Sequence, residues 1–211
     1  MLESIYINEG FWVGRYEAGS GTIVMKDDEK NSIPLSQQNM YPYNYVTIIE
    51  AKTLAETVDS GNLLSSLMFG IQWDLILAFF HNMNDIDNEL LLGNSISFGN
   101  YNNNLWSINN LNAKYSKYDL SDFKFCPYKK ETTESILLTT GADKSFSIAN
   151  IYDLAGNVWE WTLEKNLNDE KSIVYRGGSY YDNGVSKPIS YRDSMKELGK
   201  SVNIGFRVTM Y

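Results

Sequence analysis

The feature that most constrains this fold is a pair of tryptophans placed directly after a Gly-Asn turn. The segment at residues 153–161 reads DLAGNVWEW. Side chains of a strand alternate between two faces, so Trp159 and Trp161 are predicted to share one face and Glu160 to lie on the other. Because two indole rings on one face need a thick layer of protein to cover them, the chain is predicted to be organised around this strand.

Two more short motifs follow this strand. The sequence RGGSY occupies residues 176–180, and GFRV occupies residues 205–208. Together with GNVWEW, and in this order, they resemble the formylglycine-generating-enzyme and sulfatase-modifying-factor family. The resemblance implies an α+β, C-type-lectin-like fold with two helices, short antiparallel sheets and much irregular loop. No internal repeat or domain boundary is visible, so residues 1–211 are predicted to form a single domain of this type.

Charge and composition exclude several classes of partner. The 211 residues carry a net charge of −8, with a pI near 4.7. Nucleic acids and anionic membranes attract Lys-rich and Arg-rich surfaces, so neither is an expected partner. No apolar stretch reaches transmembrane length, so membrane insertion is not expected. The first residues also lack the basic and apolar regions of a signal peptide, so a chain that starts here is not expected to use that route.

Local sequence predicts two helices and a first strand. Thr47 and Glu50 have the spacing of a capping box, and apolar residues at helical spacing follow, which predicts a helix over residues 48–60. A broad apolar face predicts a second helix within residues 66–83. Alternating residues between positions 11 and 17 predict a strand.

Residues 93–119 are rich in Asn, Tyr and Ser, and residues 181–202 are polar, with a turn at residues 182–184 and a proline at 188; both segments are predicted to be irregular. Loops of this length are commonly functional, and loop tyrosines favour binding surfaces. The alternative is that a fold with little helix uses its aromatic residues to fill the core. The ligand-binding candidates are Tyr101, Asn103, Trp106, Tyr180, Tyr181, Asp182, Asn183, Ser186, Tyr191, Arg192 and Asp193.

The residues do not support the chemistry of the family's enzymes. Formylglycine-generating activity uses two cysteines after the Gly-Gly-Ser-Tyr motif, and the matching positions here hold Asp182 and Lys187. Neither can hold Cu(I). The single cysteine, Cys126, lies far upstream, and the single histidine, His81, cannot form the histidine set with which related sulfoxide synthases bind iron. We therefore predict no catalytic residue and no enzyme activity.

One metal site is implied by the resemblance, because family members hold calcium around the Gly-Asn-x-Trp-Glu-Trp turn. Calcium prefers hard oxygen ligands from a flexible loop, which fits two carboxylates and two backbone carbonyls. The alternative is that Glu160 pairs with Arg176 or Arg207 while Asp153 caps a turn. Carried over to this chain, the calcium ligands are Asp153, Gly156, Val158 and Glu160.

Three functions remain open at this point. The first is a non-catalytic ligand-binding or receptor-binding module, similar to phage tail, virion and surface-display proteins and to the variable proteins of diversity-generating retroelements. Its partner would be a protein or glycan receptor on a cell surface, which implies a location on a virion or a cell surface. The second is a metal-dependent oxidoreductase of the family with an altered active site. The third is a structural virion or baseplate domain that forms a homo-oligomer or a virion assembly. We predict the first.

Overall fold

The chain forms short strands and a few helices that are joined by long irregular segments. This computed structural model describes residues 7, 9–24, 32–58, 61–84, 86–117 and 120–211. Its helices are α1 (Ile48–Glu56), α2 (Gly70–Asn84) and α3 (Asn88–Leu92). Its strands are β1 (Trp12–Val13), β2 (Gly19–Ser20), β3 (Tyr41–Pro42), β4 (Ser65–Leu67), β5 (Trp106–Ile108), β6 (Lys114–Ser116), β7 (Lys124–Phe125), β8 (Tyr128–Lys130), β9 (Leu137–Leu138), β10 (Ser147–Ile148), β11 (Ile151–Tyr152), β12 (Trp159–Asn166), β13 (Asp169–Arg176), β14 (Arg192–Lys196), β15 (Ile204–Phe206) and β16 (Val208–Met210).

The tryptophan strand, β12, lies inside a four-stranded sheet with the order β14–β13–β12–β15. It pairs with β13 in the antiparallel direction and with β15 in the parallel direction. Trp159 and Trp161 are buried in one core cluster, and both meet the ring of Tyr175 edge-on, with centroids 5.0 and 5.3 Å away. Glu160 points to the opposite face, where it binds Arg207. The predicted division of the two faces is confirmed.

Helix α1 begins with the predicted capping box. The Thr47 hydroxyl accepts a hydrogen bond from the N–H of Glu50, and the Glu50 carboxylate accepts one from the N–H of Thr47. The helix ends at Glu56, earlier than predicted, because the N–H and the hydroxyl of Thr57 both bind the carbonyl of Leu54 and tighten the last turn. Residues 59 and 60, which the prediction included, lie outside the described residues.

Helix α2 confirms the second predicted helix. Its inner side packs in the core, where Trp73 is buried and its Nε1 donates to the carbonyl of Ile189 at 3.0 Å. Within the described residues no helix is both long and apolar enough to cross a membrane.

The two segments predicted to be irregular contain strands. Residues 93–119 include β5, which pairs with β8, and β6, which pairs with β7 and β9. Residues 181–202 include β14, the edge strand beside β13. These strands are short and polar, and their ladder partners lie elsewhere in the chain, so local sequence carries little signal for them. The first predicted strand is reduced to β1, which pairs with β16.

Candidate functional site

Tyr101 and Tyr180, predicted to lie on a binding surface, are buried in the core. The Tyr101 hydroxyl donates to the carbonyl of Gly177 at 2.9 Å. Three glycines make room for this ring: a Cβ at Gly99, Gly178 or Gly184 would lie 2.4, 2.6 or 2.7 Å from the Tyr101 ring. The surface assignment of both tyrosines is wrong, because backbone from distant segments closes over them.

Arg192, another predicted ligand contact, is held by two carboxylates. Its Nη2 lies 2.6 and 2.8 Å from the oxygens of Asp74, and its Nε lies 2.9 Å from Glu164. Arg176, which is buried and faces Arg192 across the β13–β14 ladder, binds the same two carboxylates. The two guanidinium groups and two carboxylates balance one another and fasten the edge strand β14 to helix α2.

The positions that match the family's two cysteines hold side chains with partners inside the protein. The carboxylate of Asp182 accepts a hydrogen bond from the hydroxyl of Ser179. The Lys187 ammonium lies 3.0 Å from a carboxylate oxygen of Asp193 and 3.8 Å from the ring centroid of Tyr191. This corner of the fold therefore holds an ammonium between a carboxylate and an aromatic face.

The four residues predicted to bind calcium lie around a buried ion pair. The Glu160 carboxylate accepts hydrogen bonds from Nε and Nη2 of Arg207, the shortest at 2.6 Å. Arg207 also donates to the carbonyls of Gly14 and Tyr152, so it joins three segments of the chain. The Arg207 guanidinium already supplies a positive charge beside Glu160. The surroundings of Glu160 therefore fit an ion pair better than a calcium ion. Calcium binding by Asp153, Gly156, Val158 and Glu160 stays a prediction.

Two further carboxylates, Glu17 and Asp153, are buried next to this pair. Glu17 accepts a hydrogen bond from Asn157 at 2.7 Å, and Asp153 accepts one from the N–H of Gly141 at 2.6 Å. Burial raises the pKa of Glu17 well above its usual value, and the charges of Asp153 and Glu160 raise it further. Burial also raises the pKa of Asp153 to about 7.

A surface groove lies beside Tyr181, whose exposed ring lies against that of Tyr180, with a centroid separation of 4.3 Å and a tilt of 33° between the two rings. The groove has a volume of about 480 Å³. Lys117 and Glu134 form an ion pair of 2.9 Å in its wall, and hydrogen bonds with Tyr128 and Glu134 raise the pKa of Lys117, which keeps it charged. We call this site the Tyr181 groove, and its lining residues are Asn102, Lys117, Thr133, Glu134, Ser135 and Tyr181.

Two of the predicted loop regions meet at this groove. The side-chain amide of Asn102 donates to the carbonyl of Tyr181 at 2.6 Å, and its backbone N–H donates to the carbonyl of Asp182 at 2.9 Å. The side-chain oxygen of Asn103 accepts a hydrogen bond from the N–H of Gly184 at 3.1 Å. These bonds join segments that are about eighty residues apart in sequence.

The remaining predicted residues lie outside the groove lining. Asn183 and Ser186 are exposed on the turn that follows Tyr181. Trp106 is half-buried, and its Nε1 donates to the side-chain oxygen of Asn100 at 3.2 Å. The groove lining also contains charged and hydroxyl residues that belong to no recognisable sequence motif. The sequence therefore did not identify Lys117, Thr133, Glu134 and Ser135 as lining residues.

Comparison with known proteins agrees with this fold. A family model described as "Sulfatase-modifying factor enzyme 1-like domain" matches residues 95–210. Among solved structures, Treponema denticola variable protein 1 has a TM-score of 0.53 and 14% identity, covering 94% of this chain and 84% of that chain. PvdO from Pseudomonas aeruginosa has a TM-score of 0.54 and 12% identity, covering 95% and 80%. No curated protein sequence matches the chain.

Proposed function

Because this chain belongs to the sulfatase-modifying factor enzyme 1-like family, whose C-type-lectin-like fold it has, we propose that it uses the scaffold as a non-catalytic binding module. The side chains at the family's two cysteine positions support this proposal, since Asp182 and Lys187 are held by neighbouring side chains. Cys126 is buried in a separate cluster, and burial raises the pKa of its thiol to about 11, so it is not a thiolate at neutral pH.

The Tyr181 groove is the proposed ligand site, and its composition carries the proposal. The Tyr181 ring offers a flat apolar surface at small entropic cost, while Asn102, Thr133 and Ser135 offer neutral polar groups beside it. Among the described residues of the wall, the Lys117–Glu134 ion pair balances its own charge, so a charged ligand would have to be desolvated without a counter-charge from these residues. A neutral glycan matches the composition of the groove and carries no charge that would have to be desolvated. Its hydroxyls can bind the polar groups, and its apolar ring face can cover Tyr181.

Binding to immobilised glycans tests this function. We expect the protein to bind members of an array of neutral and anionic glycans, and to prefer neutral ones. Tyr181→Ala should weaken binding at least about tenfold, because the aromatic platform is the centre of the groove. Phe125→Ala removes an exposed ring on β7 and serves as the matched control. Absence of any glycan binding, or equal binding by both variants, would contradict the proposal.

The same array, run with calcium and with EDTA, also addresses the calcium prediction. Binding and thermal stability that depend on calcium would support the predicted site at Asp153 and Glu160. Equal results in both buffers are expected if the Arg207–Glu160 pair supplies the charge balance alone. Because Arg207 and Glu160 lie in the core, this outcome leaves the assignment of the groove unchanged.

We propose that the module acts on a virion, such as a phage tail, or in a surface-display protein. The support is the resemblance to such proteins, together with a ligand class that cell surfaces present. Neighbouring genes test this setting: tail genes favour a virion protein, and a reverse transcriptase with a template repeat favours a diversified variable protein. Neighbours that encode neither would count against the setting.

A further inference from the structure

Helix α2 is apolar on both sides, but the described fold covers only one of them. Its inner side packs against the core, whereas four large apolar side chains on the outer side are exposed. The exposed fractions are 53% for Ile71, 42% for Leu75, 47% for Phe79 and 71% for Met83. Residues four apart lie on the same face of a helix, so these side chains form one continuous ridge. We call these four side chains the outer ridge.

A helix that carries large apolar side chains on two sides usually buries both of them, although the outer side of α2 also exposes His81 and Asn82. With ~200 Å² for each large side chain, the outer ridge exposes on the order of 400 Å² of apolar surface, about the size of the largest apolar patch on a typical monomer, which is often functional. Ala78, which is also exposed, flanks the ridge beside Leu75 and Phe79, and its small side chain leaves space for a partner helix to approach. The ridge therefore has the shape and the area of a helix-packing surface.

We propose that the outer ridge is covered by α2 of a second copy of this chain, in a two-fold symmetric antiparallel pair. Two copies with a net charge of −8 each repel one another over most of their surfaces. Residues 75–83, in contrast, contain no Asp, Glu, Lys or Arg. Asp74, at the beginning of the ridge, is already neutralised by Arg176 and Arg192. The ridge is thus a face on which two copies can meet without bringing acidic groups together.

The ridge is also complementary to itself. A two-fold axis near residue 77 places Leu75 of one copy opposite Phe79 of the other, and Ile71 opposite Met83. Ridges with a spacing of four residues interdigitate when helices cross at about −50°. The antiparallel direction additionally places the positive end of each helix dipole near the negative end of the other.

The area buried between the two ridges indicates how stable the proposed dimer is. Two ridges of this size bury on the order of 800 Å², below the ~1,200–2,000 Å² of stable interfaces. An interface of this size is typical of weak, reversible association. This surface is independent of the Tyr181 groove, so failure of either proposal leaves the other unaffected.

Sedimentation at increasing concentration tests the pair. From about 5 µM to about 500 µM, the average mass of the native chain should rise from the monomer value of 24.1 kDa towards twice that value. Leu75→Lys should weaken association at least about tenfold, because a lysine buried against Phe79 would lack a counter-charge. Leu167→Lys makes the same change at a site that is 98% exposed in the β12–β13 turn, and should leave association unchanged.

A charge-swap pair tests the antiparallel register. Phe79→Glu alone should also abolish the dimer, and it serves as a second variant if Leu75→Lys affects folding. A mixture of the two variants should recover a heterodimer, because the introduced lysine would face the introduced glutamate at one contact while the native Phe79 and Leu75 meet at the other. In the sedimentation series, the proposal is overturned if the native chain stays monomeric, if it forms assemblies larger than dimers, or if Leu75→Lys and Leu167→Lys associate equally. In the charge-swap experiment, it is overturned if the mixed variants do not form a heterodimer.

Discussion

The buried carboxylate of Asp153 is expected to make the stability of the fold depend on pH. Burial raises the pKa of Asp153 to about 7, despite the opposing effects of the Gly141 N–H and of Arg207. In the unfolded chain the pKa of an aspartate is about 3.9, so between these values the folded state holds a proton that unfolding releases. The stability that depends on this proton is fully present below pH ~4 and is lost as the pH rises through about 7.

Asp153→Asn should therefore flatten the pH dependence of stability. Asparagine still offers an oxygen to the N–H of Gly141 and tolerates the left-handed backbone, with a φ of 56°, at this position. Between about pH 5 and pH 8, the variant should lose about 2–4 kcal/mol less of its unfolding free energy than the native chain. Urea unfolding at a series of pH values measures this difference.

Asp122→Asn, a change at an exposed carboxylate, is the control and should leave the pH profile of the native chain in place. A residual slope is expected in Asp153→Asn because the pKa of Glu17 is also raised. Parallel profiles for the native chain and Asp153→Asn would show that Asp153 does not hold the proton.

The edge strand β14 is held by side-chain ion pairs as well as by its backbone hydrogen bonds to β13. Arg192 joins it to Asp74 on α2 and to Glu164 on β12. Arg192→Ala removes these contacts, while Arg176 remains to neutralise both carboxylates. Because Arg192 and Asp74 are half-exposed, the loss should be about 1 kcal/mol, concentrated in β14.

Hydrogen exchange resolved by peptide measures this effect on β14. We expect faster exchange in residues 192–196 of Arg192→Ala and unchanged exchange in the neighbouring strand β12. Lys196→Ala, which removes an exposed cation from the end of the same strand, is the matched control. Equal exchange in the two variants would mean that the ladder alone holds β14.

The elements that could be predicted from sequence are those whose signal is local. The capping box of Thr47 and Glu50 locates the beginning of α1, and apolar periodicity locates α2. The strands β5, β6 and β14 escaped prediction because each depends on a ladder partner outside its own segment. The burial of Tyr101 was hidden for the same reason, since Gly178 and Gly184, two of the three glycines that admit its ring, lie about eighty residues away.

At the scale of the whole molecule, the three sequence motifs meet around one sheet. The GNVWEW motif leads into β12 and provides its first three residues, while Arg176 and Arg207 from the other two motifs bind carboxylates on that strand. The family could be predicted from sequence because these contacts require particular residues. The Tyr181 groove is different: short segments around Asn102, Lys117, Glu134 and Tyr181 build it. Local sequence indicated only the two polar loops that contain Asn102 and Tyr181. The ion pair between Lys117 and Glu134 becomes visible only once the chain is folded.

The charge of the whole molecule leads to a last prediction, which concerns salt. The field of a chain with a net charge of −8 acts on any charged ligand, but a neutral glycan in a groove with a balanced ion pair does not sense it. Affinity for the neutral glycan selected on the array should therefore change less than about twofold between ~50 mM and ~500 mM NaCl, where screening changes strongly. Titration calorimetry at both salt concentrations measures it. Affinity that falls about tenfold with salt would indicate a cationic ligand, and affinity that rises as much would indicate an anionic one; either result contradicts a neutral ligand in the Tyr181 groove.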